Sequence, residues 1–307
     1  MDIFLQQIFN GLTLGSIYAL VALGYTMVYG ILGLINFAHG EVVMIGALSS
    51  LTVIRLLENS GLPGPVIVLI GLLAAALVCM ALGFTIERVA YRPLRNAPRL
   101  APLITAIGVS IVLQQLAMLT WGRSYHSVPA LLPAATHEVL GATFTEVQVI
   151  IVLVAALTMA GLMLLVNRTR LGRAMRATAE NPAIAGLMGV DANRIIALTF
   201  IIGSALAALA GVLVAANYGI AHYHMGFILG LKAFTAAVLG GIGNLAGAVL
   251  GGVLLGIIEA LGAGYIGDLT GGVLGSHYQD VFAFFVLIVV LIFRPSGLIG
   301  EKVSERA

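Results

Sequence analysis

Charged residues are scarce in this sequence. They make up 9% of the 307 residues, whereas they make up about 25% of a typical soluble domain. Hydrophobic residues make up 60%, and the mean hydropathy is +1.09. A soluble globular domain is therefore excluded. We predict an all-α, polytopic membrane protein with about 8 transmembrane helices, in a range of about 7 to 10, at roughly 20 residues per crossing.

The residues that common enzyme classes require are also missing. Cys79 is the single cysteine, so no intrachain disulfide is possible. The two lysines, Lys232 and Lys302, do not stand in a GxxxxGK[ST] phosphate-binding loop, and neither GxSxG nor HExxH occurs. His39 and Glu41 lie close together in the sequence, but they fall short of the three or four ligands of a zinc site. We therefore expect no catalytic residue, no metal and no cofactor in this chain.

Nine of the thirteen arginines fall into two groups that set the predicted topology. Cytoplasmic loops of membrane proteins carry an excess of Lys and Arg, so both groups are placed in the cytoplasm, together with the end of the chain after Phe293. The segment Gly122–Glu146 has one cation and is placed outside, as is the N-terminus, which has no cation before Arg55. The two groups are Arg88, Arg92, Arg95 and Arg99, and Arg168, Arg170, Arg173, Arg176 and Arg194.

Eight apolar runs are suitable for membrane helices. Two of them, Ile3–Leu34 and Gly226–Leu261, far exceed the roughly 20 residues that span a bilayer, and glycine interrupts both. We therefore expect two broken or re-entrant segments, and a re-entrant bend in the first run would move the N-terminus to the other side. The other runs are Val42–Leu57, Val66–Ile86, Leu100–Trp121, Val147–Val166, Ile195–Ala216 and Val281–Phe293.

A weak internal repeat relates two parts of what we expect to be a single transmembrane domain, about residues 1–121 and 195–294. The octapeptide GLINFAHG, Gly33–Gly40, resembles GGIGNLAG, Gly240–Gly247, because glycines flank an Asn-apolar-Ala core in both. Glycine-interrupted segments at matching places are typical of broken helices that line a transport pathway. The candidate pathway residues are Asn36, His39, Gly40, Glu41, Gly243 and Asn244.

Structural explanations remain open for several of these residues. A carboxylate at membrane depth is costly unless it is paired or wetted, so Glu41 is a functional candidate with His39 as its candidate partner, unless both lie at the membrane interface. The spacings Gly11-xxx-Gly15 and Gly252-xxx-Gly256 favour close packing of helices instead of a pathway. Glu259, late in an apolar run, is also assigned to packing or to the interface.

One long polar segment interrupts the apolar sequence, within a predicted cytoplasmic loop at residues 168–195. Asn181 followed by Pro182 is typical of a helix cap with proline at the first helical position, and Gly189 stands where the end of a helix favours a left-handed residue. We predict a two-turn helix from Pro182 to Met188. Its exposed face is predicted to carry Ile184, Leu187 and Met188. Such a helix either docks a soluble partner or is an ordinary surface helix.

Four stretches together resemble a known family. They are NGLTLGSIYALVALGYTMVYGILGLINFAHGE, IERVAYRPLR, GRAMRATAENPAIAGLMGVDANRIIALTFIIGSALAALAG and KAFTAAVLGGIGNLAGAVLGG. Over nearly its whole length the sequence is similar to the LivH-type permease of branched-chain amino acid ABC importers. It differs most in Gly122–Glu146 and Gly262–His277.

The resemblance implies a permease subunit in a bacterial inner membrane, with ATP and Mg²⁺ bound by partner subunits. The implied partners are a second, LivM-type permease, two cytoplasmic ATPases of LivG and LivF type, and a periplasmic binding protein that delivers leucine, isoleucine or valine. No nucleic acid is expected. The helix after Asn181 is then the coupling helix that rests on an ATPase. The coupling residues so implied are Arg173, Arg176, Glu180, Asn181, Pro182, Ile184, Leu187, Met188 and Gly189.

Other functions remain open on the sequence alone. Related permeases carry urea, short amides or other small organic acids. A self-sufficient secondary transporter or channel would need no ATPase, but it would usually show more intramembrane carboxylates for ion coupling. A membrane scaffold without transport would not need asparagine-centred breaks in two helices.

Overall fold

Helices dominate the computed structural model of the chain, which describes residues 2–95, 97–98, 100–132, 135–271, 275 and 278–300. The helices are α1 (Asp2–Leu32), α2 (His39–Leu57), α3 (Gly64–Ile86), α4 (Leu100–Trp121), α5 (Glu146–Arg168), α6 (Arg170–Glu180), α7 (Pro182–Leu187), α8 (Ala192–Tyr218), α9 (Met225–Gly240), α10 (Leu245–Leu269) and α11 (Gln279–Phe293). A π-helical segment, Glu87–Tyr91, continues α3 and leads into a 3-10 turn, Arg92–Leu94.

Seven of the helices in the described ranges are long and apolar enough to cross a membrane: α1, α2, α3 with its extension, α4, α5, α8 and α10. The shorter apolar helices α9 and α11 are additional candidates. The predicted polytopic all-α fold is thus confirmed. Asn96, Arg99 and Lys302 lie outside the described residues, as do several residues of Gly262–His277.

The two longest apolar runs behave differently. The run Gly226–Leu261 is broken as expected, because the turn at residues 241–244 separates α9 from α10. The run Ile3–Leu34 forms one continuous helix as far as Leu32, where α1 ends, and Gly33 at φ +63° begins the turn that follows. The break in this part of the chain therefore follows the helix and does not interrupt it.

The helices group into two compact units. The first unit consists of Met1–Thr26, Pro133–Met159 and Lys232–Ala307, and the second of Met27–Leu132 and Ala160–Leu231. The boundaries of the units differ from those of the sequence repeat. The single domain with an internal repeat therefore stays a prediction.

Glycines bring helices into close contact within the first unit. A methyl group added at Gly15 of α1 would lie 2.7 Å from the Cα atom of Val253 in α10, and one at Gly252 would lie 2.5 Å from the Cα atom of Ala19. The two small-residue spacings therefore pack against each other, as predicted. The strands β2 (Thr136–Val139) and β3 (Ala142–Thr145) form an antiparallel hairpin in this unit.

The second unit is built around α2, α3 and α8, which pack against one another. Gly46 of α2 faces the backbone of α8, since an added methyl group would lie 2.7 Å from the Cα atom of Ala208. Two short strands, β1 (His126–Ser127) and β4 (Ile220–Ala221), pair in antiparallel fashion. The segment that follows α3 and the first turn of α8 contact each other through polar side chains that are described below.

Candidate functional site

The polar segment before α8 folds into two helices, of which α6 is the first. The Thr169 hydroxyl accepts a hydrogen bond from the Gly172 amide at 3.1 Å and caps α6. Met175 and Thr178 are buried on its inner face. The predicted coupling residues Arg173, Arg176 and Glu180 are exposed. The helix is thus anchored on one side and leaves charged groups on the other.

The second helix, α7, is the predicted short helix. The Asn181 side chain accepts hydrogen bonds from the amides of Ala183 and Ile184 at 3.0 and 3.1 Å, and Pro182 follows it. The helix ends at Leu187, one residue earlier than predicted, and Gly189 adopts φ +84°. Local capping signals therefore specify both ends of this helix.

The outer face of α7 is apolar. Ala185 is buried and anchors the inner face. Ile184, Leu187 and Met188 are 59%, 87% and 81% exposed. These three side chains therefore form an exposed apolar face within a segment that is otherwise polar.

A hydrogen-bonded corner connects α7 to α8. The Val190 amide donates to the Ala185 carbonyl oxygen at 3.0 Å. The Asp191 carboxylate then caps α8 by accepting from the amides of Asn193 and Arg194 at 3.0 and 3.2 Å. Since each step of the corner is bonded, α7 is held firmly to the first turn of α8.

The first turn of α8 contacts the segment that follows α3 through polar side chains. Arg95 donates from Nη1 to Oδ1 of Asn193 at 2.5 Å. Its other terminal nitrogen, Nη2, forms an ion pair with the Glu87 carboxylate, whose side chain is 1% exposed. The sequence placed Arg95 among cytoplasmic cations, but it did not indicate either partner.

The turn between α1 and α2 is held by its asparagine. The side-chain oxygen of Asn36 accepts from the Ala38 amide at 3.2 Å and from the Tyr91 hydroxyl at 3.1 Å. Tyr91 also packs its ring against Phe200 of α8, with the ring centroids 5.2 Å apart. This predicted pathway residue therefore organises the start of α2 through internal bonds.

The first turn of α2 contains the other predicted residues of this region. Glu41 is buried, and its Oε1 atom accepts from the Ser110 hydroxyl at 3.1 Å and from the Gln114 amide nitrogen at 2.7 Å. Its Oε2 atom has no hydrogen-bond partner among the described residues. Gly40 allows close approach to the start of α9, because an added methyl group would lie 2.8 Å from the Cα atom of Gly230. His39 is buried in the same turn.

The remaining pathway candidates lie in the first unit. Asn244 caps α10 by accepting from the Gly247 amide at 3.1 Å, and its side-chain nitrogen donates to the Ile299 carbonyl oxygen at 3.1 Å. Gly243 adopts φ +95° in the preceding turn. Asn36 and Asn244 therefore have the same structural role, since the side-chain oxygen of each accepts a backbone hydrogen bond at the start of a helix. Whether any of these residues contacts a solute stays a prediction.

The sequence missed a cluster of charged residues around the buried Glu259 in the first unit. The Lys232 ammonium group lies 2.7 Å from a carboxylate oxygen of Glu259 and 2.7 Å from one of Asp280. The Tyr18 hydroxyl donates to the other oxygen of Glu259 at 2.9 Å. Four helices, α1, α9, α10 and α11, contribute one residue each. Glu259 thus has a packing role, as expected, but as part of an ion pair.

The fold and these sites define a multi-pass membrane protein with a short surface helix, α7, whose outer face is apolar. A family model described as the permease component of branched-chain amino acid transport systems matches residues 7–291. The chain belongs to this family. As a permease component of a transport system, it is not an enzyme.

Curated relatives cover almost the whole chain. The high-affinity branched-chain amino acid transport system permease protein BraD of Pseudomonas aeruginosa is 50% identical over 99% of this chain and 98% of its own length. The permease protein LivH of the corresponding system in Escherichia coli K12 is 48% identical over 99% and 97%. A probable branched-chain amino acid transport permease protein LivH of Methanocaldococcus jannaschii is 30% identical over 93% and 89%. The family resemblance seen in the sequence is confirmed.

Proposed function

We propose that this chain is a transmembrane permease subunit of an ATP-driven importer for branched-chain amino acids in a bacterial inner membrane. Its partners are a LivM-type permease, LivG- and LivF-type ATPases that bind ATP and Mg²⁺, and a periplasmic binding protein. The solute class follows from the names of the relatives, whose systems transport branched-chain amino acids. A transporter that works alone is not favoured, because the family consists of components of larger transport systems.

One structural observation supports the dependence on an ATPase most directly, namely the exposed apolar face of α7. Leu187 and Met188 are 87% and 81% exposed, although they stand in a polar segment with several arginines. The arginines place this segment in the cytoplasm by the positive-inside rule. A cytoplasmic partner with an apolar groove would bury this face. Closure of that partner would then displace α7 and, with it, the first turn of α8.

The predicted pathway fits an apolar solute with a zwitterionic head. The helices are apolar nearly throughout, and polar contacts are sparse. Glu41, Ser110 and Gln114 form a small polar group in which one carboxylate oxygen has no hydrogen-bond partner among the described residues. A buried carboxylate in a membrane protein is a functional candidate by default. We assign this group to the pathway, where it offers a polar contact without a dense array of charges.

The test of the docking role is the Leu187→Asp variant in the reconstituted complex. Full burial of one such side chain contributes about 1.5–3 kcal/mol, and about 1.4 kcal/mol changes an equilibrium tenfold. We therefore expect the ATPase subunit to bind about 10-fold to 100-fold more weakly. The measurements are the amount of ATPase that co-purifies and the ATP hydrolysis stimulated by binding protein loaded with leucine.

The matched control is Leu187→Met, which keeps an apolar side chain at the same position and should retain ATPase binding. Both variants should insert and accumulate like the wild type, because the Leu187 side chain is 87% exposed. Wild-type stoichiometry and stimulation in Leu187→Asp would contradict the docking role of α7. Uptake of urea or short amides, and not of leucine, by the wild-type complex would contradict the proposed solute.

A further inference from the structure

We propose that five residues of the second unit form a mechanical link from the coupling helix α7 to the turn between α1 and α2. The α7–α2 link consists of Asn193, Arg95, Glu87, Tyr91 and Asn36. It rests on the proposed function, because it assigns positioning residues to the ATP-driven movement of the permease. None of the five is expected to touch ATP, and Asn193, Arg95, Glu87 and Tyr91 are not expected to touch the solute.

The link begins where α7 is attached to α8. Bonds through Val190 and the Asp191 cap hold α7 to the first turn of α8, so a displacement of α7 must carry Asn193 with it. Asn193 is bonded to Arg95 at 2.5 Å. The first step of the link is therefore a single side-chain contact from α8 to Arg95, which follows the 3-10 turn after α3.

The second step is a buried ion pair. Arg95 uses one terminal nitrogen for Asn193 and the other for Glu87, so its guanidinium group joins two partners in a fixed planar geometry. Glu87 is buried, and removal of a partner from a buried pair leaves an uncompensated charge. The contact between Arg95 and Glu87 is therefore kept while its surroundings move.

The third step runs through the π-helical segment. Glu87 and Tyr91 are the first and last residues of this segment, and both are buried. Short π-helical segments are rare and occur frequently at functional sites. Because one rigid turn carries both side chains, a pull on Glu87 changes the position of the Tyr91 hydroxyl.

The last step reaches the turn before α2. The Tyr91 hydroxyl lies 3.1 Å from Oδ1 of Asn36 and 3.3 Å from the Ile35 carbonyl oxygen. Asn36 in turn holds the Ala38 amide at the start of α2. A movement of Tyr91 therefore acts on the first turn of α2, which carries Glu41.

Two substitutions remove single contacts and leave the packing in place. Tyr91→Phe deletes the hydroxyl but keeps the ring against Phe200. Arg95→Lys keeps the charge but cannot span both partners, because an ammonium group lacks the planar fork of a guanidinium. Matched controls are Tyr29→Phe and Arg88→Lys, since neither Tyr29 nor Arg88 takes part in the link.

The readouts are chosen to separate coupling from folding. In the purified complex, Tyr91→Phe should retain the wild-type amount of bound ATPase, basal ATP hydrolysis and thermal midpoint. Hydrolysis stimulated by leucine-loaded binding protein should fall by roughly threefold to tenfold, the equivalent of one hydrogen bond of about 0.5–1.5 kcal/mol. Arg95→Lys should lower it at least as much, and the two controls should match the wild type.

A second readout reports the turn itself. A cysteine at Leu34, in a chain with Cys79→Ala, should react with a thiol reagent at a rate that changes when ATP and vanadate trap the ATPase. Tyr91→Phe should reduce that change without altering the amount of trapped nucleotide. A wild-type change in reactivity together with wild-type stimulation in Tyr91→Phe and Arg95→Lys would overturn the link.

Failure of the proposed function gives a different result. In that case the wild-type chain itself would retain no ATPase and would show no stimulated hydrolysis, which would overturn the importer and the link together. A further outcome is that Tyr91→Phe or Arg95→Lys lowers the thermal midpoint in proportion to the loss of stimulated ATP hydrolysis. That result would assign these residues to folding, and it would also overturn the link.

Discussion

Replacement of Lys232 by methionine should strongly destabilise the first unit. Methionine has a similar length and is apolar, so the main loss is the cation. Glu259, which is 1% exposed, would then lie in the interior without the ammonium group that lies 2.7 Å away. Removal of one partner of a buried pair costs about 3–5 kcal/mol. Native proteins are stable by only about 5–15 kcal/mol in total.

The other two contacts of the cluster are expected to contribute less to the free energy of unfolding than the contact between Lys232 and Glu259. Tyr18→Phe removes a hydrogen bond to a charged group, which is worth about 1.5–3 kcal/mol. Asp280 has a side chain that is 40% exposed, so Asp280→Asn should cost less than about 1 kcal/mol. The expected order of destabilisation is therefore Lys232→Met first, Tyr18→Phe second and Asp280→Asn last.

The assay is thermal unfolding of the purified protein in detergent, with a double variant as the decisive comparison. At about 2–4 °C per kcal/mol, Lys232→Met should lower the midpoint by at least about 6 °C. Adding Glu259→Gln replaces the carboxyl group that has lost its partner by a neutral amide, so the double variant should be more stable than Lys232→Met alone. An unchanged midpoint in Lys232→Met, or a double loss equal to the sum of the single losses, would refute the ion-pair reasoning.

Three further predictions concern the pathway, the packing and the topology. Glu41→Gln should lower leucine uptake by about tenfold, the value of one hydrogen bond to a charged group, while assembly of the complex stays unchanged. Normal uptake in this variant would show that Glu41 does not contribute to the pathway. Gly15→Leu should lower the thermal midpoint, because the backbone of α10 lies 2.7 Å from the added Cβ atom. The control Gly161→Leu should leave the midpoint unchanged, because Gly161 faces open space. Equal midpoints in the two variants would refute the proposed packing. In intact cells without the native cysteine, an impermeant thiol reagent should label Ser127→Cys and not Glu180→Cys, and the reverse pattern would overturn the topology.

The features that sequence predicted well are specified by neighbouring residues. The helix α7 is an example, because Asn181, Pro182 and Gly189 act on the backbone within a few residues of themselves. Glycine was harder to interpret. Gly15 sits inside the continuous helix α1 at a contact with α10, whereas Gly33 ends the same helix with φ +63°. The residue type alone does not separate these two uses, so a bend inside Ile3–Leu34 stayed open until the structure was known.

The partners of buried charges could not be predicted for a different reason. Glu41 is bonded to residues 69 and 73 positions away, and Tyr18 is bonded to a residue 241 positions away. In a soluble amphipathic helix, the spacing of apolar residues shows which face is buried. The membrane helices here are apolar on every side, so that signal is absent. Lys232 therefore looked isolated in the sequence, although two carboxylates lie beside it.

The contacts of the α7–α2 link differ in strength, and this difference determines which contact breaks first. The contact between Arg95 and Glu87 joins opposite charges, and Glu87 is buried, so its separation is strongly unfavourable. The contact between Tyr91 and Asn36 joins neutral groups and is worth about 0.5–1.5 kcal/mol. When α8 moves, the hydrogen bond between the Tyr91 hydroxyl and Asn36 is therefore the first of these two contacts to break. Because the Asn36 side chain also holds the Ala38 amide, loss of that contact loosens the start of α2 without breaking the ion pair.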